Sequence, residues 1–221
     1  ADTNNGLIEN VSTRGKVVNS KLQGELPVFG GIVDTTDLTT GAGAIVGVNG
    51  VTGIIRNVEV GGSGLVKAGR GIGGVSAYNF GLISRAKVTA TLGAGNQSNS
   101  GKSSNSYSFA GGITGFNFGT IEESIVSGRI FGQNSYPTAA DGNEGKNVVF
   151  GGIAGYNEGI ITKTSFARNL DMKELIDKTK AAELEDKSSN LGVASVHVDI
   201  YVGGIAGINA GDINHVYVVG A

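Results

Sequence analysis

Apolar residues return in one order along most of the chain. Five segments share a pattern: Gly43-Ala-Ile-Val-Gly-Val-Asn49, Gly73-Gly-Val-Ser-Ala-Tyr-Asn79, Gly111-Gly-Ile-Thr-Gly-Phe-Asn117, Gly151-Gly-Ile-Ala-Gly-Tyr-Asn157 and Gly203-Gly-Ile-Ala-Gly-Ile-Asn209. Each passes through glycine into a second apolar stretch, starting at Gly53, Gly81, Gly119, Gly159 or Gly211, and Gly6-Leu-Ile8 adds a sixth copy of that second half. The equivalent isoleucines are Ile8, Ile55, Ile83, Ile121, Ile161 and Ile213. Three residues beyond the last five stand Val58, Ala86, Ser124, Thr164 and Val216, and two further Val60, Val88, Val126, Phe166 and Val218. A step of two is strand-like, and the step of three predicts a bend or bulge between two short strands. The two positions after each isoleucine are polar in every copy, from Glu9-Asn10 to Asn214-His215, and are predicted to face water.

One such repeat cannot bury its own apolar face, whereas stacked copies bury it together. The predicted fold is therefore all-β, a parallel β-helix (solenoid) of about five to six coils forming one domain over residues 1–221. At a ladder spacing of about 4.8 Å its core is a rod of roughly 25–30 Å. Asn49, Asn79, Asn117, Asn157 and Asn209 should form one column, hydrogen-bonded from coil to coil as in other stacked β structures. Asn tolerates left-handed backbone, and the glycine after it accepts positive φ. Paired glycines before the apolar residue suit close approach of neighbouring backbones. Arg85, Glu123 and Lys163 occupy one outward position in consecutive coils, so opposite charges should meet across the ladder.

The isoleucine steps are uneven, and the shortest, from Ile55 to Ile83, spans 28 residues. A solenoid admits insertions at one edge of the stack. Loops are predicted at 93–106, rich in Gly, Ser and Asn, and at 132–147, where Asp141-Gly-Asn-Glu-Gly145 lacks the spacing of an EF-hand. A helical insertion is predicted over 169–190, with its helix near 171–186. There Asp171 and Glu174 suit a capping box, Glu174 and Lys178 an i,i+4 pair, and Met172, Leu175 and Ile176 one apolar side.

Composition narrows the partners. The 221 residues include 39 Gly, 2 Pro and no Cys. Without a three-residue period or proline the glycine is not collagen-like. At 39% hydrophobic residues in regular order, the chain is not read as disordered. A net charge of −2 with no basic stripe makes nucleic acid a poor partner. No apolar run reaches the length of about 18 residues that spans a membrane. No signal peptide opens the chain, and it starts and stops inside its own repeat. The expectation is a fragment of a larger exported protein, with signal and anchor elsewhere.

The string Gly-Gly-Ile-Ala-Gly-Tyr-Asn-Glu-Gly-Ile-Ile at 151–161 resembles the GLUG repeat, and the copies at 73–90 and 111–128 match equally well. The copy at 203–220 has Ile208 for the aromatic. The copy at 43–60 departs, with Ala44 for Gly and two extra residues before Gly53. Such repeats occur in bacterial surface and secreted proteins, including adhesin-like proteins and immunoglobulin A1-cleaving zinc metallopeptidases. The resemblance implies a right-handed β-helix and a secreted or cell-surface location.

No cofactor or metal site is expected. The peptidases' His-Glu-x-x-His motif is missing, and the two histidines, His197 and His215, fall in Val-His-Val-Asp and Asn-His-Val-Tyr, short of a zinc ligand set. There is no Gly-x-Ser-x-Gly elbow for a serine nucleophile. The enzymatic alternative is a carbohydrate-active β-helix, a polysaccharide lyase or glycosidase, which needs clustered carboxylates. The first outward column instead mixes Glu9, Arg56, Ser84, Glu122, Thr162 and Asn214, and Glu122 and Glu123 read as solvated neighbours. Tyr78, Phe116 and Tyr156 form an aromatic column, read as core or groove lining and, functionally, as a candidate glycan-contact platform. The expected role is a non-catalytic module: a rigid spacer, or a docking element for a host ligand or substrate, set beside other domains of its polypeptide. One such setting is beside the catalytic domain of an immunoglobulin A1 protease. The partners foreseen are those domains and a host glycoprotein, immunoglobulin or glycan.

Overall fold

The computed structural model describes residues 2–14, 17–18, 41–61, 65–67, 71–95, 107–133, 147–167 and 200–219. Among them the chain is all-β, with short strands in five sheets and no helix. Every strand pairing is parallel and joins one repeat to the next, an arrangement compatible with a parallel β-helix. In chain order, a full repeat contributes one strand to each sheet. Sheet I holds Gly41–Gly43, Gly71–Gly73, Tyr107–Gly111, Asn147–Gly151 and Ile200–Gly203. Sheet II runs from Thr3–Asn4 through Ser76–Asn79 to Ala206–Asn209. Sheet III runs from Leu7–Glu9 through Leu82–Ser84 to Asp212–Asn214, and sheet IV from Ser12–Thr13 through Lys87–Val88 to Tyr217–Val218. Sheet V holds Val17–Val18, Leu65–Lys67, Thr91–Gly95 and Ile130–Gln133.

The register agrees with the sequence repeat. Ile8, Ile55, Ile83, Ile121, Ile161 and Ile213 are consecutive ladder partners, and the middle four are fully buried. The two residues that set the copy at 43–60 apart leave through an exposed turn at Val51-Thr52, so Ile54 still pairs with Leu82. Where polar residues enter the Val58 column, their hydroxyls are satisfied locally. Ser124 Oγ accepts from Ala86 N at 3.0 Å and donates to Glu122 O at 2.7 Å. Thr164 Oγ1 donates to Thr162 O at 2.8 Å.

The Asn column is a continuous hydrogen-bonded ladder. Each Nδ2 donates to the Oδ1 of the next repeat: Asn4 to Asn49 at 2.9 Å, Asn49 to Asn79 and Asn79 to Asn117 at 2.8 Å, Asn117 to Asn157 and Asn157 to Asn209 at 2.7 Å. The same Nδ2 groups also donate to a glycine carbonyl of their own repeat, such as Gly53 at 3.2 Å and Gly81 at 3.3 Å. Asn49, Asn79, Asn117 and Asn157 have no solvent exposure. Buried amides need such partners, because an orphaned polar group costs about 1–3 kcal/mol.

The left-handed residues lie elsewhere than the sequence suggests. Neither the ladder asparagines nor the glycines that follow them, Gly50, Gly81, Gly119, Gly159 and Gly211, have positive φ. The left-handed column is Asn10, Asn57, Arg85, Glu123, Lys163 and His215, with φ of 49–57°. This is the predicted step of three: one left-handed residue turns the chain from sheet III into sheet IV. The paired glycines serve proximity instead. A Cβ on Gly73 would meet Ser76 O, Ile113 O and Thr114 Cα, all backbone, and one on Gly74 would lie 2.6 Å from Val88 Cγ1. Gly115 lets sheet II approach sheet I so closely that its Cβ would sit 2.6 Å from Ile72 N.

Other expectations change. Ser84 is buried rather than facing water, a short side chain between Arg56 and Glu122 in the ladder. Gly93–Gly95 and Gly132–Gln133, read as loop, continue strands of sheet V, where backbone pairing of Gly93 with Phe131 and Gly95 with Gln133 needs no apolar side chain. Asn147 likewise opens a strand. The rest of the two loops, the helix near 171–186 and His197 lie outside the described residues.

Candidate interaction surface

Sheet III presents an outer face built from the residues that flank its core isoleucines. Successive strand residues point to opposite sides, so in Ile54-Ile55 and Ile160-Ile161 one isoleucine of each pair faces out. The outward column reads Leu7, Ile54, Leu82, Thr120, Ile160 and Asp212 in register. Leu7, Ile54 and Ile160 are 54%, 37% and 41% exposed. The sequence pattern places the residues after each core isoleucine outward but assigns no face to the one before it; the doubled isoleucines were the available signal.

Beside this apolar stripe run two columns of charged and polar side chains. Arg56 grips Glu9 through two nitrogens, at 2.8 and 3.2 Å, and Thr162 donates to Asn214 at 2.6 Å. In the left-handed column Glu123 lies between Arg85, at 3.0 Å, and Lys163, at 3.9 Å, the alternation expected from the sequence. On sheet IV, Lys87 meets Glu59 at 3.2 Å. Such exposed pairs contribute about 0–1 kcal/mol each, so they favour register more than stability. Backbone strain outweighs them at Lys163, whose φ of 49° suits Asn far better than a long side chain. Lys163→Asn is expected to stabilise the chain by about 0.5–1 kcal/mol in urea unfolding, and the β-branched Lys163→Val to destabilise it by a similar amount or more.

Tyr78, Phe116 and Tyr156 lie in register but inside. Their relative exposures are 0%, 0% and 1%, so no ring face is open to a glycan. Tyr78 stacks on Phe116 at 5.0 Å between centroids, and Phe109 packs against Phe116 at 4.4 Å. A neighbouring pair that sequence reasoning missed, Phe80 and Phe118, stacks at 5.0 Å and 7°. Tyr156 donates to Glu158 Oε2 at 3.0 Å. Burial of the ring, that hydrogen bond and the Glu158 charge push its hydroxyl up to about 12. The folded value lies above the unfolded value of about 10, so this stabilisation is present below pH 10 and is lost as pH rises through about 12. In an ultraviolet phenolate titration, Tyr156→Phe should remove a step near pH 12 and Glu158→Gln should move that step to lower pH.

Among the described residues no group of three or more His, Cys, Asp or Glu could hold a metal ion, and no helix is long and apolar enough to cross a membrane. Three of the outward acids are committed to cations: Glu9 to Arg56, Glu59 to Lys87, and Glu123 to Arg85 and Lys163. His215 is exposed and contacts Asn214. Comparison with models of protein families, with curated proteins and with solved structures finds no match.

Proposed function

We propose that the chain is a right-handed parallel β-helix serving as a rigid, non-catalytic spacer in a bacterial cell-surface or secreted protein. In this reading it holds neighbouring domains of its polypeptide at a fixed separation, and its flank is available to a host ligand. The observation that carries the reading is the unbroken Asn ladder, whose links of 2.7–2.9 Å cross all six repeats. The links hold while the intervening chain ranges from 30 to 52 residues. A stack whose register survives such insertions resists bending, because a hinge between two repeats would break a buried hydrogen bond and the backbone pairing on either side. The right hand follows from the general preference of parallel strand crossovers, and the surface or secreted setting from the GLUG-like repeats.

Single-molecule pulling between the two termini tests the reading. A rigid spacer extends little at low force and then yields in discrete steps; extension from zero force like a flexible tether would refute it. Cleavage of a polysaccharide or of immunoglobulin by the purified chain would overturn the non-catalytic part.

A further inference from the structure

The outer face of sheet III is long and narrow. Over the four inner repeats its stripe reads Ile54, Leu82, Thr120 and Ile160. Ile54 and Ile160 are 37% and 41% exposed, and the two between them are half-buried. Three residues at about 3.3 Å make the face about 10 Å wide, and six strands at about 4.8 Å make it about 29 Å long. That is roughly 300 Å², well short of the about 800 Å² that each partner of a stable protein pair buries. A globular protein or a second copy seated on this face alone would therefore be held poorly. The occupant that fits its shape is linear.

Two groups in the column beside the stripe lack partners. Ser84 follows the core Ile83 and so points outward, yet it is only 7% exposed. Its ladder neighbours are the longer side chains of Arg56 and Glu122, so its hydroxyl lies on the floor of a notch. That hydroxyl makes no hydrogen bond among the described residues, and a polar group so enclosed calls for a partner. Glu122 is the one acid of the flanking columns without a cation, since Glu9, Glu59 and Glu123 are each paired. An ionised carboxylate only accepts hydrogen bonds, so a partner must bring donors. Net charge plays no part: in those columns Arg56, Arg85, Lys87 and Lys163 balance Glu9, Glu59, Glu122 and Glu123.

We propose that this face binds a neutral β-1,4-linked oligosaccharide lying along the stack. Its rings carry C–H surface on their faces and hydroxyls on their edges, which suits an apolar stripe with a hydrogen-bonding column at its side. Each ring advances by nearly one ladder step of about 4.8 Å, so successive rings meet successive repeats. An extended peptide falls out of step, because its side chains return to one side only every second residue, about 6.6 Å. The ring faces rest on Ile54, Leu82 and Ile160, while edge hydroxyls donate to Glu122 and exchange hydrogen bonds with Ser84. The inference rests on the reading of the chain as a rigid stack, and absence of binding would leave that reading and its pulling test standing.

Titration of the whole chain with cellohexaose, followed by nuclear magnetic resonance of carbon-13-labelled isoleucine methyl groups, provides the test. The Ile54 and Ile160 methyl signals should shift, and those of the fully buried Ile83 and Ile121 should stay. Cellobiose, too short to reach across the four repeats, should bind at least tenfold more weakly. Glu122→Ala and Ile160→Glu, each with a melting curve as the check on folding, should each weaken cellohexaose binding at least tenfold. No methyl shift at millimolar cellohexaose overturns the inference, as do shifts that Ile160→Glu leaves in place. Equal affinity for cellobiose and cellohexaose overturns it too, and that comparison needs no variant.

Discussion

Asn79→Ala should destabilise the chain by about 3–5 kcal/mol, among the largest effects of any single truncation of a polar side chain here. The substitution deletes the amide that donates to Asn117 Oδ1 at 2.8 Å and to Gly81 O at 3.3 Å. It also strands two neighbours: Asn49 Nδ2 loses the acceptor it reaches at 2.8 Å, and Asn117 Oδ1 loses its donor. All three asparagines are without solvent exposure, so water cannot replace the missing partners. The exposed end of the ladder provides the contrast. Asn209 lies where solvent reaches, and Asn209→Ala should cost less than half as much. Urea unfolding followed by circular dichroism separates the two. Equal, small losses at both positions would mean that the ladder is incidental to stability.

Gly73→Ala should cost about 3–5 kcal/mol or prevent folding, whereas Gly6→Ala should be neutral or stabilising by up to about 1 kcal/mol. Both are the same chemical change in the same repeat family, and neither glycine has a positive φ, so backbone freedom does not distinguish them. Space does. A Cβ on Gly73 meets Ser76 O within its own turn, and Ile113 O and Thr114 Cα of the next repeat, both at 2.5 Å. Those atoms are backbone fixed by the parallel ladder, and moving them opens the stack. A Cβ on Gly6 meets nothing within 4 Å, and alanine there only narrows the unfolded ensemble. Gly61→Ala, whose nearest neighbour is Thr89 Oγ1 at 3.3 Å, should fall between. Thermal melts of the three variants give the order; a Gly73→Ala protein as stable as Gly6→Ala would refute the close-packed account of the paired glycines.

These cases show what was legible beforehand. Register could be read because each repeat carries its own markers: the ladder asparagine and the core isoleucine recur at fixed offsets, and every pairing among the described residues follows them. The alternation at Arg85, Glu123 and Lys163 followed from register alone. The five-sheet cross-section was harder. Sheets I and V use strands such as Gly71–Gly73 and Thr91–Gly95, whose glycines erase the alternation that marks a strand. The bend was visible as a step of three, whereas left-handed backbone was expected at the ladder asparagines and the glycines after them. Asn10 and Asn57 carry the usual signal for that conformation; Arg85, Glu123 and Lys163 do not, because the ladder on both sides imposes it. The aromatic column was identified correctly as a column, yet sequence could not show that Phe109, one strand earlier, packs over Phe116 and edges against Tyr156 and helps close the rings off from solvent.

The central claim is one rigid, in-register stack from the first repeat to the last. It is tested most directly by the distance between spin labels at Asn5→Cys and Ala210→Cys, exposed residues that each follow the ladder asparagine of an end repeat. Double electron–electron resonance on magnetically dilute protein should give a single narrow distribution near 24 Å, the length of five ladder steps of about 4.8 Å, once the label linkers are allowed for. A broad distribution, or a maximum well beyond that length, would contradict it.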